Sequence, residues 1–143
     1  MKVKLHHINL STENVGTMDA FYRDVMRLDL ADDDLPALKN DADVYTGDVA
    51  FVTDGDMHLH LARKDVQAGF RTGQIVNPVA RGHIAYRTDD IEAFKAHLDA
   101  QGVEYSDWGN SAVAGWYQIY FYDPDGNVIE VHQADGDSGH GAE

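Results

Sequence analysis

Four residues have the types and positions to hold a metal ion: His7, His60, His83 and Glu130. Imidazole and carboxylate are common ligands of divalent first-row ions. His7 and His83 stand in alternating segments, Leu5-His6-His7-Ile8-Asn9-Leu10 and Gly82-His83-Ile84-Ala85-Tyr86-Arg87. His60 and Glu130 stand in the second arm of two strand–turn–strand patterns. An ion held on one side by such residues keeps neighbouring coordination positions open. A small molecule with two adjacent oxygens can fill them, and the ion then acts as a Lewis acid on an enediolate, alkoxide or catecholate.

What must position these groups is a repeat. Alternation predicts a strand with Leu5, His7 and Asn9 on one face, then a helix from Thr17 to Leu28 with a Met18, Phe21, Val25 and Leu28 stripe and Thr17 as its cap. His83, Ala85 and Arg87 share a face of the later strand. Asp89 or Asp90 caps a second helix with Ile91, Phe94 and Leu98 as its stripe, stopped at Gly102. The arms Val49–Thr53 and Met57–Leu61 flank Asp54-Gly55-Asp56, and Trp116–Tyr122 and Asn127–Val131 flank Asp123-Pro124-Asp125-Gly126. Matching the two hairpins sets His60 on Glu130 and, with the strands, His7 on His83. All four then point to one concave face, while Ile8, Leu10, Leu59, Ile84, Ile129 and Val131 point to a helix-covered face. His6 is expected to face away from His7.

The expected fold class is α+β: two βαβββ modules forming an open, metal-binding β-cup. The modules are placed at residues 1–62 and 81–133, with a linker at 63–80 and a disordered tail at 134–143. Residues 31–43 are acidic and irregular and read as a flap near the site.

Composition narrows the function. The chain has 143 residues, 43% hydrophobic, with 11 Lys+Arg against 25 Asp+Glu for a net charge of −14. Such a surface repels a phosphate backbone, so nucleic acid is not an expected partner. The acidity fits either plain solubility, as in a salt-tolerant host, or attraction of a cationic ligand. No apolar run is long enough to cross a bilayer, and the first residues do not resemble a signal peptide. With no cysteine there is no disulfide, thiolate site or cysteine nucleophile. The expectation is a cytoplasmic protein without membrane contact.

The stretches His6-His7-Ile8-Asn9-Leu10, Phe21-Tyr22-Arg23-Asp24-Val25, Gly82-His83-Ile84-Ala85 and Tyr120-Phe121-Tyr122-Asp123-Pro124-Asp125-Gly126-Asn127-Val128-Ile129-Glu130 resemble those of the vicinal oxygen chelate superfamily. That group includes glyoxalase I, methylmalonyl-CoA epimerase, extradiol dioxygenases, and fosfomycin and bleomycin resistance proteins. The resemblance spans residues 3–133. It implies paired βαβββ modules, metal ligands at His7, His83 and Glu130 with a variable fourth position at His60, and a homodimer in which each metal can be shared between subunits. The implied cofactor is one divalent ion per site, Fe, Mn, Ni, Co or Zn, and the implied partner a small molecule with vicinal oxygens.

Several activities fit this resemblance. Lyase or isomerase chemistry of the glyoxalase kind needs a base beside the metal, and Glu130, Tyr120 and His58 are the candidate catalytic residues. Glyoxalase I itself carries glutamate where His60 stands, and bacterial forms carry arginine where Ser11 stands. Fosfomycin transferases surround a phosphonate with cations, yet no Lys or Arg follows Lys95. An extradiol dioxygenase with Fe(II) would use the His7, His83 and Glu130 triad, with His58 or His60 as distal acid–base group. Its Tyr120 equivalent is present, and an outer-shell histidine within 106–118 is not. A non-catalytic drug-binding protein like those of bleomycin resistance would stack ligands on Trp108, Trp116 and Tyr117. Asn9, Arg87 and Gln118 are cup-lining candidates, and His132 stands one step outward from Glu130.

Overall fold

The computed structural model describes residues 1–31 and 37–136. Strand β1 (Val3–Thr12) is followed by helix α1 (Val15–Ala20), which continues as a π-helical turn over Phe21–Val25. Then come β2 (Asp29–Leu30), β3 (Ala37–Leu38), β4 (Val49–Thr53), β5 (His58–Arg63) and the short helix α2 (Ala68–Thr72). The second half holds β6 (Gly82–Thr88), α3 (Ile91–Gln101), β7 (Ser106–Gly109), β8 (Val113–Ala114), β9 (Trp116–Tyr122) and β10 (Val128–Ala134).

Eight strands form one sheet in the order β2-β4-β5-β1-β6-β10-β9-β7. Each half contributes four neighbouring strands in mirrored order, so β1 matches β6, β5 matches β10 and β4 matches β9. The first and last strands of the sheet do not pair with one another, so it remains an open cup. At the seam, β1 runs antiparallel to β6, with Ile8 opposite Ile84 and Asn9 opposite His83. The mirrored register also holds: Asn9 pairs with His60 across β1 and β5, as Ala85 pairs with Glu130 across β6 and β10. A two-stranded ribbon, β3 with β8, ties the halves together by pairing Ala37 with Ala114 and Leu38 with Val113.

The second helix forms as expected. The Asp90 side chain accepts from the Ala93 N–H at 2.9 Å, and Gly102 ends the helix with φ 71°. Ile91 and Leu98 are buried with Ile119 and Val131, and Phe94 packs against them. The first helix starts earlier than expected. Asn14, not Thr17, is the cap, its Oδ1 accepting from the Thr17 N–H at 3.0 Å. The helix then widens, with the Met26 N–H bonding the Phe21 carbonyl five residues back. That turn rotates the stripe off the sheet, leaving Phe21 and Val25 exposed.

One further expectation is corrected. Ile8 and Ile84, expected beneath the helices, are 36% and 37% exposed. Helix α1 packs on β4 and β5, and α3 packs on β10 with Tyr86 of β6 against its cluster, while Ile8 and Ile84 between them stay half exposed. The linker segment contains α2, and Ala68 is buried with Val76, Val44, Trp108 and Tyr120. Of the expected flap, residues 32–36 lie outside the described residues, and 37–38 form β3. Of the expected tail, Ala134 ends β10 and the Asp135 N–H donates to the Gly115 carbonyl at 2.7 Å, while 137–143 lie outside the described residues. Among the described residues, no helix is long and apolar enough to cross a membrane.

Gly82 is required where the halves meet. Its φ is +138°, and a Cβ there would stand 2.4 Å from the Asn9 carbonyl oxygen, which is backbone and cannot rotate aside. Gly82→Ala is expected to cost on the order of 2–3 kcal/mol, lowering the melting temperature by about 5–10 °C. Differential scanning calorimetry measures this directly.

Candidate metal centre

β1, β6 and β10 each bring one ligand to the concave face. Ligand atoms of His7, His83 and Glu130 all lie within 4.8 Å of one another, and all three residues are buried. The Glu130 Oε1 atom is 3.1 Å from His83 Nε2 and 3.9 Å from His7 Nε2. His83 Nδ1–H donates to the Pro78 carbonyl at 2.8 Å, so its Nε2 directs a lone pair toward Oε1. Two lone pairs that close require positive charge between them, a proton or a metal ion. Two imidazole nitrogens and one carboxylate oxygen are a fitting donor set for a divalent ion.

A hydrogen-bonded surround fixes each ligand. The Tyr120 hydroxyl donates to Glu130 Oε1 at 3.0 Å, and Gln118 Nε2 donates to the Tyr120 oxygen at 3.0 Å. On the other side, Arg87 Nε–H donates to His132 Nε2 at 3.0 Å. That leaves His132 Nδ1 as the donor to Glu130 Oε2 at 2.7 Å. The His132 ring is in turn stacked on Trp116, with centroids 4.0 Å apart and planes at 6°. His7 Nδ1 lies 2.8 Å from His6 Nδ1, so one must donate and the other accept. Donation by His7 leaves its Nε2 free for a metal.

Electrostatics keep the carboxylate charged. Burial pushes the Glu130 pKa up, but His7, His132 and His83 together outweigh it and hold the group well below the usual carboxylate range. Burial lowers the pKa of His7 and His60 well below the ordinary imidazole value. Burial and the Glu130 charge both raise that of Tyr120.

The remaining predicted residues fall in distinct places. His60 lines the cup, but its ring lies on that of His7, centroids 3.6 Å apart and planes at 16°. The group of ligand atoms within 4.8 Å of one another is His7, His83 and Glu130, without His60. Its buried Nε2 has no hydrogen-bond partner. His58 pairs with His7 across β5 and β1 but does not line the cup. Tyr120 lines the cup and is bonded to a ligand.

His6 corrects the sequence reading. The β1–β6 register shifts between Leu5 and His7, and His6 turns inward, its ring 4.9 Å from that of His132 and 5.5 Å from that of Trp116. The consecutive histidines were the available sign. The anchoring role of His132 and Arg87 was also missed, although their alternation with Glu130 and His83 put them on the right face.

Comparisons agree with this geometry. Residues 4–131 match the model of the Glyoxalase/Bleomycin resistance protein/Dioxygenase superfamily. The chain belongs to that superfamily. No curated protein matches the chain significantly. Among solved structures, a hypothetical protein from Bacillus halodurans C-125 is similar with a TM-score of 0.68 at 17% identity, covering 94% of this chain and 96% of its own. A variant of Streptomyces coelicolor methylmalonyl-CoA epimerase in complex with 2-nitronate-propionyl-CoA gives 0.63 at 18%, covering 92% and 96%. The epimerase from Mycobacterium tuberculosis gives 0.62 at 17%, covering 91% and 87%. At these identities the likeness shows a shared fold.

The anchoring of Glu130 leads to a test of this superfamily member. His132→Phe keeps an aromatic ring against Trp116 but removes the donor to Oε2. Co(II) affinity, followed by its visible absorption, is expected to fall roughly 10–100-fold. Unchanged affinity would show that Oε2 needs no such anchor.

Proposed function

We propose that the chain is a metal-dependent enzyme of the glyoxalase-like lyase or isomerase kind, acting on a small molecule that chelates through adjacent oxygens. The observation that carries this reading is the convergence of His7 Nε2, His83 Nε2 and Glu130 Oε1, with the His60 ring stacked on that of His7 and its Nε2 unpartnered. A bound divalent ion supplies Lewis acidity, stabilising negative charge that develops on a substrate oxygen.

The protein's own groups do the rest. His7, His83 and Glu130 hold the ion on one side of the cup, and Tyr120 and His132 keep the carboxylate from rotating. His60 is a neutral base that lines the cup, its buried Nε2 without a hydrogen-bond partner. It takes a proton from the carbon next to the substrate carbonyl and returns it. In this reading His60 moves a proton instead of serving as fourth ligand, and His58 is outside the reaction. Phe51, Trp108 and Trp116 form the apolar wall that keeps water from the developing charge.

A homodimer is part of the proposal. Leu59, Ile8, Ile84 and Ile129 form one row across the sheet, and its two central members are exposed on the convex side. Leu5, Phe21, Val25 and Met26 are exposed as well. Large exposed apolar patches mark interaction sites. Sedimentation is expected to find a dimer that Ile8→Glu combined with Ile84→Glu converts to monomer.

The activity is tested on protein purified without chelator. Elemental analysis is expected to find about one equivalent of divalent metal. His60→Ala should retain that metal yet lower kcat for anaerobic conversion of a hemithioacetal by about 100-fold or more. Less than about a tenth of an equivalent, with no gain on adding Fe, Mn, Ni, Co or Zn, would overturn the reading. Oxygen-dependent yellowing of catechol by the Fe(II) form would assign ring cleavage instead.

A further inference from the structure

Resting on the reading of the cup as a substrate site, we propose that it selects a ring-bearing molecule, uncharged away from its chelating oxygens, that donates a hydrogen bond to Gln118 Oε1. The argument begins at Glu130. Its carboxylate can only accept, so Tyr120 must direct its O–H at Oε1, 3.0 Å away. The Tyr120 oxygen then accepts from its other neighbour, and that neighbour is the amide nitrogen of Gln118 at 3.0 Å. The choice between the two ends of the Gln118 amide is thereby fixed by a charge two hydrogen bonds away. What remains is Gln118 Oε1, a buried acceptor with no partner.

Gln118 is 4% exposed and lines the cup. An unmet buried acceptor costs about 1–3 kcal/mol, and a substrate hydroxyl or N–H at this point recovers it. The polarity of the chain excludes a bare carbonyl oxygen there, since acceptor would face acceptor. Asn9 is 5% exposed, and its Nδ2 is also buried without a partner. It offers the complementary donor, on β1.

The walls define the rest of the molecule. Trp108, Trp116 and Phe51 present flat apolar surface. Among the described residues lining the cup there is no Lys or Arg, and the chain carries a net charge of −14. A carboxylate or phosphate on the body of the substrate would lose hydration with no cation to receive it.

The only two tryptophans, Trp108 and Trp116, both line the cup, so intrinsic fluorescence reports its occupancy. The Co(II)-loaded protein is titrated with 2,3'-dihydroxyacetophenone, its 3'-methyl ether, and the 4'-carboxylated form of the hydroxy ketone, so that the varied hydroxyl lies away from the chelating pair. The hydroxy ketone is expected to bind about tenfold more tightly than the ether. The carboxylated form is expected to bind more weakly by a similar factor. Gln118→Met should bring hydroxy ketone and ether within about twofold. Equal binding of hydroxy ketone and ether by the parent, or a preference that survives Gln118→Met, overturns the role of Gln118. Equal binding of the carboxylated form overturns the uncharged class, and no quenching by either neutral ketone overturns the ring-bearing class.

The titrations are repeated on chelator-treated protein. A hydroxyl preference that persists in a protein unable to take up metal supports this proposal while rejecting the metalloenzyme reading. Loss of that preference in a protein that does hold metal rejects this proposal alone.

Discussion

A buried, ionised carboxylate is the constraint from which the rest of the site follows. Removing the Glu130 charge from water is costly unless the charge is met by hydrogen bonds and opposite charge. Every group within reach answers that requirement. Tyr120 gives its proton to Oε1, and His132, itself oriented by Arg87, gives Nδ1–H to Oε2. His83 and His7 bring Nε2 atoms to the side that remains. The tautomer of His132, the rotation of Tyr120 and the amide orientation of Gln118 are therefore consequences of one charge. They cannot be chosen independently of one another.

The two halves are built alike but do opposite things with that constraint. His60 occupies the register position in β5 that Glu130 occupies in β10. The carboxylate gathers donors and joins the group that could hold a metal ion. The imidazole carries no charge to gather them, and burial keeps it neutral. It settles instead as an apolar plate on the His7 ring. A symmetric scaffold thus yields an asymmetric site, with a charged carboxylate at one register position and a neutral imidazole at the matching one.

Much of this was legible from residue order. Strict alternation placed His7, His83 and Glu130 on one face, because a period of two leaves no other choice once a strand is recognised. Asp90, Gly102 and the Asp123-Pro124-Asp125-Gly126 turn marked element ends through local chemistry. What escaped notice depends on departures from period. The bulge at His6 breaks the alternation on which its outward reading rested. The π-helical turn after Ala20 rotates Phe21 and Val25 away from the sheet. The link from Arg87 through His132 to Glu130 crosses β6 and β10, and only their register brings the three side chains into line. The ribbon of β3 and β8 is two residues long in each arm, too short to show a period.

The central seam joins these observations. β1 and β6 each carry a candidate metal ligand on the concave side and an isoleucine on the convex side, and Ile8 stands directly opposite Ile84. A Cβ at residue 82 would stand 2.4 Å from the Asn9 carbonyl oxygen, so glycine is needed for the two strands to approach as they do beside His83. The isoleucines on the convex side and the candidate ligands on the concave side therefore share two strands, and Ile8 and Ile84 stay half exposed where the halves of the candidate ligand set meet.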